Sequence, residues 1–128
     1  MNVLLVEPEK TAYEAEIGDS LKAMQNAVGG YIEVIYPFDD PVALVCNEEG
    51  KNLGLPPNRA LRDENGKIYD IVVGTFFVCG LSENEFNYSL SPELMEKYKA
   101  MFEVPQMFVR VNGEIQQIPM APEYFEEG

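Results

Sequence analysis

The chain has 128 residues, 46% of them apolar, with 22 acids against 9 bases and not one histidine. This length suits a single domain, 1–128, with a core of its own and no need of disulfide staples. The net charge of −13 argues against nucleic-acid or anionic-membrane binding through a broad basic patch, and the missing histidines remove Ser-His-Asp, Cys-His and histidine-metal chemistry.

Asn2 to Val6 reads as a short strand closed by Pro8, and residues 12–17 alternate as an antiparallel strand with one wet face would. Ser20 to Val28 reads as a helix with Leu21, Met24 and Val28 on one face. Asp19 or Ser20 caps it and Gly29-Gly30 stops it. Tyr31 to Tyr36 and Val42 to Cys46 are strands, joined by a turn at Asp39-Asp40-Pro41.

Asn47 to Lys51 has turn chemistry, with Gly50 free to take positive φ. Asn52 to Arg62 has no clean period and reads as an ordered loop with one helical turn at Arg59-Ala60-Leu61. Asp63 to Lys67 centres on Asn-Gly, a hairpin signal. Ile68 to Val73 and Thr75 to Cys79 are two strands, or one strand bent at Gly74.

After Gly80, Ser91-Pro92 opens a helix near 92–102 with Leu94, Met95, Tyr98, Met101 and Phe102 on its apolar face. Met107 to Val111, Asn112-Gly113 and Ile115 to Ile118 form a terminal hairpin, and residues 121–128 a loose tail. The pattern is that of an α+β fold, a mainly antiparallel sheet with two short helices packed on it.

No stretch approaches about 18 apolar residues, so no membrane span is expected. The first residues lack the basic start and long apolar run of a signal peptide, which points to the cytoplasm. Cys46 and Cys79 sit in apolar runs without a C-x-x-C pattern and read as small buried hydrophobes. No cofactor loop of the G-x-x-x-x-G-K-[ST] or G-x-G-x-x-G kind is present, and no metal-ligand pattern.

Four of the nine bases, Lys51, Arg59, Arg62 and Lys67, fall in the least periodic segment. Ordered loops on a rigid scaffold are where function tends to sit. The candidate site is therefore a small anion pocket: Lys51 and Arg59 hold a phosphate or carboxylate, Asn47 and Asn58 orient it, and Glu49 and Arg62 flank it. The alternative is that these bases neutralise surface acids. Glu48-Glu49 and Asp39-Asp40 are carboxylate pairs that either sit hydrated on turns or, for Glu48 or Glu49, act as a base. Phe86, Tyr88, Tyr124 and Phe125 stand among polar residues, to dock the C-terminal segments or to meet a partner.

The run Asn47-Glu48-Glu49-Gly50-Lys51, then Leu53-Gly54-Leu55-Pro56-Pro57-Asn58-Arg59, is similar to a signature N-E-E-G-K-x-L-G-L-P-x-N-R. With Val28-Gly29-Gly30-Tyr31-Ile32-Glu33, Asp70 to Gly74 and Gly80, it resembles an uncharacterised family of domains of unknown function found in gut bacteria, their mobile elements and phages. The resemblance covers residues 1–81, with 82–120 as a C-terminal extension. It implies an intracellular accessory protein and brings no activity with it.

Three functions follow as expectations. The first is a non-enzymatic, acidic binding protein with a protein partner, in its sharpest form a nucleic-acid mimic that binds no nucleic acid itself. The second is a domain for a small anionic ligand or nucleotide at the Asn47–Arg62 loop. The third is an enzyme with Glu48 or Glu49 as base.

Overall fold

A computed structural model describes residues 1–83 and 85–119. Its central layer is built from β1 (Asn2–Val6), β2 (Tyr13–Glu16), β3 (Ile32–Ile35), β4 (Val42–Asn47), β7 (Phe76–Ser82) and β8 (Glu85–Tyr88). The strand order is β2-β1-β7-β4-β3, with β8 on β7, and every pairing is antiparallel. The chain leaves this sheet after β4 and returns as β7 between β1 and β4. The excursion holds α2 (Gly50–Leu53) and the hairpin of β5 (Pro57–Arg62) and β6 (Ile68–Val73).

Period-two alternation in β4 and β7 sends side chains to both faces, and both faces are dry. Val42, Leu44, Phe76 and Val78 join the core under the β5–β6 hairpin and α3 (Pro92–Phe102). Ala43, Val45, Phe77 and Cys79 face the other way, against Met24 and Val28 of α1 (Leu21–Val28). The result is three layers: α1, the sheet, then hairpin plus α3. A second hairpin, β9 (Gln106–Val111) and β10 (Glu114–Pro119), lies beside β5, where the Gln106 Oε1 accepts from the Ala60 N–H at 2.8 Å.

The helix ends are as their residues dictate. The Ser20 and Ser91 hydroxyls accept from Ala23 and Leu94 N–H, and Gly29 closes α1 at φ 80°. Met24, Val28, Met95, Tyr98 and Phe102 are buried as the spacing predicts, whereas Leu21 and Met101 stay exposed at helix edges. The Asp39–Pro41 turn serves the packing. Its Asp40 carboxylate accepts from Lys97 Nζ and Tyr98 Oη, both at 2.6 Å, and so ties α3 to the loop after β3. Phe38 packs on Tyr98 with the rings tilted at 46° and their centroids 4.7 Å apart.

Two local expectations are corrected. Gly50 does not take positive φ; it opens α2, a third helix, and packs closely under β6, where an added Cβ would lie 2.8 Å from Val73 Cγ2. Residues 57–62 are a strand and not a loop with a helical turn at 59–61. The alternation of β5 is hidden in the sequence because the side chains it buries include Asn58 and Arg59 as well as Ala60 and Leu61. Gly74, at φ 74°, is where the chain passes from the hairpin into the central sheet, so 68–73 and 76–82 are separate strands. The expected tail, 121–128, with Tyr124 and Phe125, lies outside the described residues.

Candidate functional site

The six site candidates separate into a buried group and an exposed group. Arg59 is fully buried. Its Nε donates to the Phe102 carbonyl at 3.0 Å, its Nη2 to the Lys10 carbonyl at 2.7 Å, and its Nη1 to the Asn58 Oδ1 at 2.8 Å. The guanidinium thereby joins β5, the last turn of α3 and the β1–β2 connection. A cation at a helix C-terminus meets the negative end of the macrodipole. Burial lowers the Arg59 pKa to about 10, still well above neutrality, so the side chain remains charged.

Asn58 is its partner. The Asn58 Nδ2 donates to the Val6 carbonyl at 2.9 Å and to the Gly74 carbonyl at 2.8 Å. Asn47, also buried, donates from Nδ2 to the Val28 carbonyl at 3.2 Å and accepts from the Glu49 N–H at 2.8 Å. Gly30 makes room for it, since a Cβ there would stand 2.8 Å from the Asn47 Nδ2. Leu55 packs against Gly74 in the same manner, with a hypothetical Cβ 2.7 Å from its Cδ1. In the run from Asn47 to Arg59, Asn47, Gly50, Leu55, Asn58 and Arg59 therefore latch the excursion onto the rest of the fold. Buried polar groups in such a latch are costly unless bonded, and among the described residues none is left unbonded.

Glu49 and Arg62 are exposed. Arg62 donates to the Gly66 carbonyl at 2.6 Å and to the Gln117 Oε1, bridging the two hairpins. Lys51 alone of the six faces a large cleft. This cleft, about 760 Å³, opens between β6 and β9 with Leu55, Pro57, Ile71, Val73, Phe108 and Val109 as apolar walls. Tyr69 is 55% exposed, and Lys51, Asp70 and Arg110 supply charge. A smaller cleft of about 190 Å³ adjoins it across the same Lys51 and Asp70, with Glu33, Glu48 and Asn52 on its far side. The Lys51 Nζ stands 2.7 Å from the Asp70 Oδ1, which also accepts from the Ile71 N–H.

Arg59 lines neither cleft, so the structure does not bring Lys51 and Arg59 to one ligand-sized space. Sequence reasoning missed Asp70, Tyr69, Phe108 and Arg110. The one signal available was a carboxylate in the middle of the aliphatic strand Ile68–Val73. Among the described residues no group of three or more His, Cys, Asp or Glu side chains is placed to hold a metal ion.

Cys46 and Cys79 are free and buried on opposite faces of the sheet. Burial pushes the Cys46 thiol up to about 11, helped by the nearby charge of Glu33, and the Cys79 thiol up to about 12. Thiols held protonated in this way are poor nucleophiles. Among the described residues no helix is long and apolar enough to cross a membrane.

No curated protein and no solved structure matches the chain. A family model, described as a domain of unknown function (DUF3846), matches residues 1–103. The match takes in the latch, both central-sheet faces and α3, and stops before β9. Since it spans most of the sequence, the chain belongs to the DUF3846 family of domains of unknown function.

Proposed function

We propose that this domain is a non-enzymatic accessory module that binds a small organic ligand in the cleft between β6 and β9. The observation that carries this reading is the cleft itself. At about 760 Å³ it falls in the size range of small-molecule sites, and its mostly apolar walls with a few charged groups are what such sites share. Lys51, the remaining member of the anticipated anion pocket, stands at its rim. Two free, buried thiols support a reducing, intracellular setting. The test is a ligand screen on isotope-labelled protein read by NMR. Hits should move the signals of Tyr69, Ile71, Val73 and Phe108 together, and a screen whose hits never move them would sink the reading.

A second reading rests on a different observation, the net charge of −13. An acidic accessory protein could dock on a basic partner, in the limit by presenting carboxylates in the manner of backbone phosphates. Capture from host lysate of a DNA-processing enzyme at low salt, lost at high salt, supports this reading, because exposed charge contacts are screened. A partner retained at high salt argues against it.

A further inference from the structure

We propose that the occupant of the β6–β9 cleft is an organic anion with a flat apolar body, its acidic group taken between Lys51 and Arg110 and its body laid against Phe108, Val73 and Tyr69. The proposal rests on the cleft being a binding site and adds the chemical class of what enters it.

The charge balance is the first argument. The chain as a whole carries −13, and an anion approaching most of its surface is repelled. The cleft is lined by two bases, Lys51 and Arg110, against the single acid Asp70. The lining of this cleft inverts the sign of the chain's charge, although Glu33 and Glu48 stand beyond Lys51 in the smaller cleft, and such an inversion attracts a small anion.

Donor capacity is the second argument. An ammonium has three donors, and Lys51, whose side chain is 65% exposed, has one strong partner in Asp70. Asp70 fixes the ammonium at the rim and leaves the other protons to a ligand. Arg110 is exposed and makes a long, 3.4 Å contact with the Gly113 carbonyl. A guanidinium carries five donors in a fork that fits a carboxylate, sulfonate or phosphate. Arg59, by contrast, is committed to protein carbonyls and has no role here.

Shape is the third. Bare phosphate fills a small part of about 760 Å³ and gains nothing from Leu55, Val73 or Phe108. An aromatic or fused-ring body does, and the exposed Tyr69 offers it a stacking face. The wall from β9 lies beyond residue 103, where the family match ends. The family segment thus supplies Lys51 and the floor, and the terminal hairpin supplies Arg110 and Phe108.

The test compares two fluorescent probes of one shape, anilinonaphthalene sulfonate and its uncharged counterpart N-phenylnaphthylamine, with inorganic phosphate as competitor. The sulfonate should bind saturably and about a hundredfold tighter than the neutral probe, about tenfold for each of the two charge-assisted contacts. Arg110→Gln and Lys51→Gln should each weaken the sulfonate by about tenfold and leave the neutral probe unmoved, with unchanged thermal melts. NMR should place the sulfonate at Phe108 and Val73. Equal affinity for the two probes overturns the anionic assignment but keeps the cleft as a binding site. Phosphate binding as tightly as the sulfonate overturns the apolar body. Neither probe binding, or the sulfonate landing elsewhere, overturns the proposal and weakens the cleft reading with it.

Discussion

The central sheet and the hairpin layer above it are stabilised in different ways. In the sheet, β4 and β7 bury Val42, Leu44, Phe76, Phe77 and Val78 completely, and each such side chain contributes through the water it leaves. In the hairpin layer β5 buries Asn58 and Arg59 as fully, and these hold the layer through four hydrogen bonds to backbone carbonyls of Val6, Gly74, Phe102 and Lys10, with Arg59 also bonded to Asn58 itself. An apolar core tolerates many shapes of equal volume. A bonded polar centre accepts few, since a buried acceptor left without its donor costs free energy of its own. The polar brace therefore positions α3 and the excursion, and with them the cleft, more narrowly than apolar contact would.

The sharpest way to test the contrast is to remove one centre from each layer. Phe76→Ala empties space in the sheet and should cost about 3–5 kcal/mol in denaturant melts. Arg59→Met keeps the volume but deprives the Phe102 and Lys10 carbonyls of their donor, with an expected loss of about 2–3 kcal/mol. If Arg59→Met is neutral or stabilising, apolar packing can replace the brace and the contrast fails. Lys51→Met provides the control. Its ion pair with Asp70 is exposed, so its loss should change stability by less than about 1 kcal/mol.

The smallest effect is one of pH. A hydrogen bond to Glu7, and then burial, raises the Tyr13 phenol to about 12; burial, and then the bond to Asp40, raises Tyr98 further. Each folded-state value lies above the ordinary 10.0, so the neutral phenol is favoured in the fold. The stability this gives is full below about pH 10 and fades as the pH climbs through the folded-state values. Ultraviolet titrations of the wild-type chain and of Tyr13→Phe should differ by one ionisation step near pH 12. A difference that falls at the ordinary 10.0 would contradict the contact with Glu7.

The two layers also differ in how far the sequence discloses them. The sheet strands other than β8, both longer helices, the Ser20 and Ser91 caps and the Asn-Gly turn at 65–66 were legible because each follows from local periodicity or turn chemistry, whereas the polar run that holds Glu85–Tyr88 gave no strand signal. The β5 strand was not. Buried Asn58 and Arg59 look like surface residues until their partners are known, and those partners come from Val6, Lys10, Gly74 and Phe102, up to 52 residues away. The same distance in sequence hid the site. Of its charged groups the cluster at 51–67 offered Lys51, while Asp70 and Arg110 join it only because the fold brings residues of β6 and β9 to one cleft.

The sequence by itself determined the class of fold, the helix ends and an acidic chain without histidine chemistry, all properties of neighbouring residues and of composition. Only the tertiary structure decided that Arg59 is a brace and Lys51 a rim group, because the two side chains carry the same charge and differ in what the fold places around them.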